Sequence, residues 1–258
     1  MPEPFDFSAS LARLLDHREL DVQELADRAG LSADRVRAVL EGEAPGEDLL
    51  RRLAAALGLH AVDLFILAGV TVPDDMAPLD ASAERWVSRV VRDAVHVSAA
   101  GRRELLQFIR SLPQEERRSV FAPKRLALLV DGPGDRVIRM LRYRNLNWMG
   151  MAETLAFTTP TYLSAATYGV IGSGRKEPAP SLVTDFAAVL GIDALELAAL
   201  TGVFLPEMPA SPTPRAVDAA ALLWETRRLS AAQARHVSEL ARSMRGDSHR
   251  CLINRPES

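Results

Sequence analysis

Two arginines, Arg35 and Arg37, stand two residues apart in the segment Ser32-Ala33-Asp34-Arg35-Val36-Arg37. A guanidinium offers donors in a fixed fork that matches paired acceptors, such as the edge of a guanine or two phosphate oxygens. On an isolated helix such a pair describes only a solvated face, so its meaning depends on the elements that hold it. Elsewhere the chain is poor in constellations that do chemistry. His17, His60, His96, His236 and His249 show no paired metal-ligand spacing. Cys251 is the single cysteine, which leaves no disulfide framework and no cysteine metal site. Gly169-Val170-Ile171-Gly172-Ser173-Gly174-Arg175-Lys176 invites comparison with a phosphate-cradling loop, but Arg175 stands where the lysine is required and no strand precedes it. No nucleophile elbow, zincin or dinucleotide fingerprint occurs. The sequence predicts no catalytic residue, no metal and no cofactor, and hence no enzyme.

The elements that must position these residues are helical. Of the 258 residues 48% are hydrophobic and only 5% aromatic, enough apolar surface for real cores. Apolar residues return at three and four: Leu11, Leu14, Leu15; then Val36, Val39, Leu40; then Leu49, Leu50, Leu53, Leu57. Trp86, Val87, Val90, Val91, Ala94 and Leu105, Phe108, Ile109, Leu112 continue the stripe. Asp21, Ser32, Ser98 and Ser230 stand where N-caps are needed. No strand pattern appears, so the fold class is all-α. With no apolar run approaching 18 residues and no leader pattern, the sequence predicts a soluble, cytoplasmic protein with no membrane partner.

The chain is also written twice. Leu57-Gly58-Leu59-His60-Ala61-Val62-Asp63-Leu64 reappears 133 positions later as Leu190-Gly191-Ile192-Asp193-Ala194-Leu195-Glu196-Leu197, and Pro73 and Pro206 keep that offset. Val97-Ser98-Ala99-Ala100 matches Leu229-Ser230-Ala231-Ala232 at an offset of 132. A tandem duplication of a five-helix head with a helical tail follows. The expected boundaries are a first head at 1–72, a tail at 79–130, a second head at 136–205, a C-terminal tail at 212–246 and a disordered end at 247–258. Asp131-Gly132-Pro133-Gly134-Asp135 is the strongest breaker and separates the halves.

Residues 9–70 resemble the XRE-type class of helix-turn-helix, the Cro and phage-repressor-like regulators. The resemblance rests on Val22 to Arg28 with Leu25-Ala26 as a supporting helix, the tight turn Ala29-Gly30-Leu31, Ser32 as cap, Val36, Val39 and Leu40 as pins, and Glu41-Gly42 as stop. It implies a recognition helix in the major groove of double-stranded DNA, with its N-terminal residues at the base edges. The candidate DNA-binding residues are then Gln23, Ser32, Ala33, Asp34, Arg35 and Arg37: Arg35 as base reader, Arg37 as reader or phosphate clamp, Gln23 on a phosphate, as the family's pattern has it. A homodimer on two half-sites is implied as well, with Trp86, Trp224 and the tails as a dimer or interdomain surface. A protein or small-molecule effector is compatible with the second half.

Two features depart from that family. Where basic residues usually meet the DNA backbone, this chain reads Glu43-Ala44-Pro45-Gly46-Glu47-Asp48, and residues 11–70 hold seven arginines against eleven acids, a net of −4. Residues 79–130 hold ten basic against six acidic residues, a net of +4. In the second copy, at an offset of 126, Met140 to Asn147 matches the first helix and the next cap. There Ala156 is expected in place of the turn glycine, and Thr161 to Tyr168 is expected as the following helix, with a seven-residue expansion after it. No Arg or Lys lies in that stretch, while Tyr162, Leu163 and Tyr168 suit either a core or a protein interface. Arg142, Arg144, Arg175 and Lys176 are left as candidates for nonspecific backbone contacts. Alongside the DNA-binding regulator stands the alternative of an interaction module that keeps the helix-turn-helix frame without reading DNA.

Overall fold

The computed structural model describes residues 5–117, 119–121 and 132–253, with the backbone alone from 246. Among these residues there are fourteen α-helices and no strand, in agreement with the expected class. Residues 122–131, which include Asp131 of the expected breaker and the end of the first tail, lie outside the described residues.

The first five helices follow from caps and stripes. Asp6 accepts from the backbone N–H groups of Ser8 and Ala9 and opens α1 (Phe7–His17), which buries Leu11, Leu14 and Leu15. Asp21 accepts from Glu24 N–H and opens α2 (Val22–Ala29). Gly30, at φ 63°, ends it in the left-handed conformation that glycine adopts without steric penalty. Next come α3 (Ala33–Leu40), α4 (Glu47–Ala56) and α5 (Ala61–Leu67). Two single 3-10 turns at Asp74–Met76 and Ala81–Ala83 lead into α6 (Glu84–Ala94) and α7 (Ala99–Ser111).

The same order then recurs. Helices α8 (Pro133–Tyr143), α9 (Trp148–Thr158), α10 (Ala165–Gly172), α11 (Pro180–Leu190) and α12 (Ala194–Thr201) are followed by α13 (Pro214–Thr226) and α14 (Ala231–Ile253). Local geometry recurs with them. Glu19 and Asn145, 126 positions apart, are the two non-glycine residues with positive φ among the described residues, at 52° and 60°. Asn147 accepts from Gly150 N–H as Asp21 does from Glu24.

Three expectations need correction. Ala156 is not in a turn: lacking a glycine, α9 runs on to Thr158, where Thr158 and Thr159 hydroxyls donate to the Thr154 and Leu155 carbonyls and Pro160 follows. Accordingly α10 begins at Ala165 rather than Thr161, and Ser164 stands 132 positions after Ser32. Most of the expansion therefore precedes α10 instead of following it. Finally, α14 does not stop at Gly246 but continues to Ile253; the cost of one glycine, about 1 kcal/mol, is too small to end it.

The two heads pack on each other reciprocally. The first helix of each head lies on the fifth helix of the other, α1 on α12 and α8 on α5. Polar contacts repeat across this junction. Arg18 pairs with Glu196 at 2.7 Å and donates to Leu57 O; Arg144 pairs with Asp63 and donates to Leu190 O at 3.2 Å. Arg18 and Arg144 are 126 apart, while Asp63 and Glu196, like Leu57 and Leu190, are 133 apart. Likewise Arg13 donates to Ala199 O at 2.8 Å and Arg136 to Ile66 O at 2.6 Å, beside Gly202 and Gly69. One apolar cluster runs through both heads, from Leu11 and Leu14 to Phe186 and Leu197.

The tails also meet within the chain. α6 packs on α14 and α7 on α13, around Val90, Leu105, Ile109, Leu222, Val237 and Ala241. α6 is buried on two sides, since Val87 and Val91 belong to the head cluster while Val90 and Ala94 face the tails. The apolar stripes expected to offer a dimer or interdomain surface are thus covered by one another.

Candidate nucleic-acid interface

α3 is the helix whose outer face could meet a ligand. Val36 and Val39 are buried and hold it against α1 and α2, while Asp34, Arg35 and Arg37 are exposed. The Arg35 side chain makes no hydrogen bond or ion pair with any described residue, so its guanidinium is available to a partner. Arg37 is engaged by Asp34, one turn back. Ser32 occupies the N-cap position, yet its side chain makes no cap hydrogen bond, contrary to expectation. Ala33 is half-buried and packs on the core, so it forms part of the helix footing rather than the exposed face. Gln23 is exposed, and its amide donates to Asp27 Oδ1 at 2.9 Å, an acid where a phosphate was expected.

Charge on this head is largely neutralised from within. Arg28 pairs with Glu24, Arg51 with Glu47 and Asp75, and Arg52 with Asp48. Arg52 also donates to Gly30 O, which ties α4 to the end of α2. Arg13 and Arg18 serve the junction with the second head. Arg35 is the one arginine of this head with no such partner among the described residues. Each remaining pair would have to open before it could neutralise a phosphate.

Part of the basic surplus of the first tail is likewise spent on structure, while Arg85, Arg89 and Arg103 remain exposed. Arg102, almost fully buried, binds Asp218 and Val97 O, both at 2.6 Å. Arg110 meets Glu225 at 2.9 Å. Arg117 donates to the carbonyls of Asp74, Ala77 and Pro78, and so braces the link from head to tail.

In the second head the corresponding helix, α10, carries no charged residue, and Tyr168 is fully buried as core beside Phe186. Tyr162 lies on the loop before α10 and is 90% exposed. Arg144 is 1% exposed and Arg142 is bonded to Glu84 and Leu146 O, so neither is placed for backbone contacts. Arg175 and Lys176 do remain exposed.

A buried polar node sits where α5, α8 and α13 converge. Arg144 is held by Asp63, and its guanidinium carbon lies 5.0 Å from the Trp224 ring centre. His60 stacks on Trp224 with centroids 3.4 Å apart and planes within 8°, and Arg227 meets the same ring at 3.6 Å. Burial, then the neighbouring Arg144 charge, pushes His60 down to about 4. Burial also lowers Arg227 to about 10. Sequence reasoning missed this node, although Arg18/Arg144 and Asp63/Glu196 recurring at the repeat offsets were a visible signal.

No protein-family model, curated protein or solved structure matches this chain. Among the described residues no group of three or more His, Cys, Asp or Glu could hold a metal ion. None of the helices among the described residues is long and apolar enough to cross a membrane.

Proposed function

We propose that this chain is a sequence-specific, double-stranded-DNA-binding regulator that reads the major groove with α3, and that its two halves are a tandem duplication of which only the first kept the reader. The observation that carries this reading is Arg35: exposed, unpaired, and in the first turn of a helix pinned behind a left-handed glycine turn. A free guanidinium there can form a bidentate pair with guanine, worth about 1–3 kcal/mol of discrimination. Control would be steric, in the cytoplasm, with the second half serving as scaffold or effector-responsive partner.

A second reading is favoured by the pairing of Gln23, Arg28, Arg37, Arg51 and Arg52 with acids. It is an interaction module that retains the frame and binds protein instead of DNA. Selection of bound sequences from random duplexes separates the two. The DNA reading expects an enriched motif, and expects Arg35→Ala to relax it at one base pair while Arg37→Ala has the smaller effect. Few phosphate contacts also imply a shallow salt slope, about one unit per phosphate neutralised. Absence of any enriched motif would hand the case to the interaction module.

A further inference from the structure

From the reciprocal packing of the two heads we infer that a single chain is the complete DNA-binding unit, and that its target is a non-palindromic duplex site read by one head. The inference rests on the DNA reading proposed above and specifies its partner.

The geometry between the heads is that of an isologous dimer, in which a contact from i to j is answered by one from j to i. The Arg18–Glu196 and Arg144–Asp63 pairs are such answering contacts; Arg13 to Ala199 O and Arg136 to Ile66 O resemble them through their acceptors, 133 apart, although the two donors are 123 apart, about one helical turn from the 126 offset. The tails repeat the relation, α6 with α14 and α7 with α13. A second copy of the chain would need these same surfaces to dimerise in this manner, and they are already covered within the chain. The side chains at the junction are also strongly committed: Arg144 and Asp63 are each 1% exposed.

Repressor-like dimers bind inverted half-sites because both subunits present the same reading helix. Here the two helices are chemically unlike. α3 offers Arg35, whereas α10 offers Ala166 and Val170, with Tyr162 on the loop before it and no basic residue. A helix of that kind neither neutralises phosphate nor forms a guanine fork. The second head therefore holds the place of a dimer partner without demanding a second half-site.

The test combines sedimentation velocity, motif selection and two surface variants. The intact chain is expected to sediment at its 28.2 kDa monomer mass over the micromolar range. Selection is expected to yield a motif without dyad symmetry, and titration of the intact chain into a duplex carrying it once is expected to saturate at 1:1. Tyr162→Ala and Ala166→Asp are expected to leave affinity within about twofold, whereas Arg35→Ala loses tenfold or more, about 1.4 kcal/mol. A stable dimer, an inverted-repeat motif bound 2:1, or a tenfold loss with either second-head variant overturns the inference while leaving the DNA reading intact. Failure to enrich any motif overturns that reading and the inference with it.

Discussion

Taking a carboxylate and a guanidinium out of water costs several kcal/mol per ion, and only close geometry with further hydrogen bonds offsets it. At the junction of the heads Arg144 meets that condition: both its terminal nitrogens reach Asp63, and one also donates to Leu190 O. The equivalent Arg18–Glu196 pair is about one-fifth exposed, so its desolvation cost is smaller. In the same node His60 is held low first by burial and then by the Arg144 charge, with Asp63 opposing and Arg227 adding to the effect. Because the folded His60 titrates near 4, below its ordinary 6.5, the unfolded chain takes up this proton first as pH falls. Stability from this group is complete above pH 6.5 and is lost as pH drops from 6.5 towards 4. Allowing for solvent screening at a partly exposed ring, the loss between pH 7 and pH 5 is about 1–2 kcal/mol. Urea unfolding at the two pH values should show it, and His60→Phe, which keeps a ring on Trp224, should reduce the difference by that amount. An unchanged difference would mean that His60 is not the group responsible.

At the scale of elements, most of the helices were legible because caps and apolar stripes act locally. Asp21, Gly30 and the stripe of α3 locate the supporting and reading helices from neighbours a few residues away. The second head was harder for a physical reason. With no glycine to end it, α9 stops by threonine back-bonding and Pro160, and the register of everything up to α10 moves with it. Which arginines stay free was not legible either, because most guanidiniums of the first head are claimed by an acid three or four residues away or by the other half of the chain. Gly30 and Gly46 allow a controlled contrast. A Cβ at Gly30 would meet nothing closer than Arg52 Nη1 at 3.7 Å, so the penalty of Gly30→Ala is conformational, about 1–2 kcal/mol at φ 63°. Gly46 has φ −76° and open space around it, so Gly46→Ala should be no more than a few tenths destabilising. Thermal melts of the two variants should therefore differ clearly, with Gly30→Asn falling between them.

For the whole molecule, the repeat suggests two domains, but the packing joins them. Leu11 and Leu14 of α1 share an apolar cluster with Phe186 of α11 and Leu197 of α12, and α6 lies between that cluster and the tails. Separating the halves would expose this shared apolar surface to water and break the Arg144–Asp63 pair. No intermediate with one folded half should then be populated. Leu11→Ala and Phe186→Ala, one in each half and both fully buried, should each lower stability by about 2–5 kcal/mol. The informative quantity is the form of the transition. Helix content by circular dichroism and tryptophan emission, reporting on Trp86, Trp148 and Trp224, should fall together in a single step for both variants. Were the halves independent, Leu11→Ala would split the melt and leave the second head's transition where it was, because nothing in α11 would feel a cavity in α1. A chain whose two heads cannot unfold apart holds α3 in one fixed relation to the second head, and that fixed relation is what an asymmetric site requires.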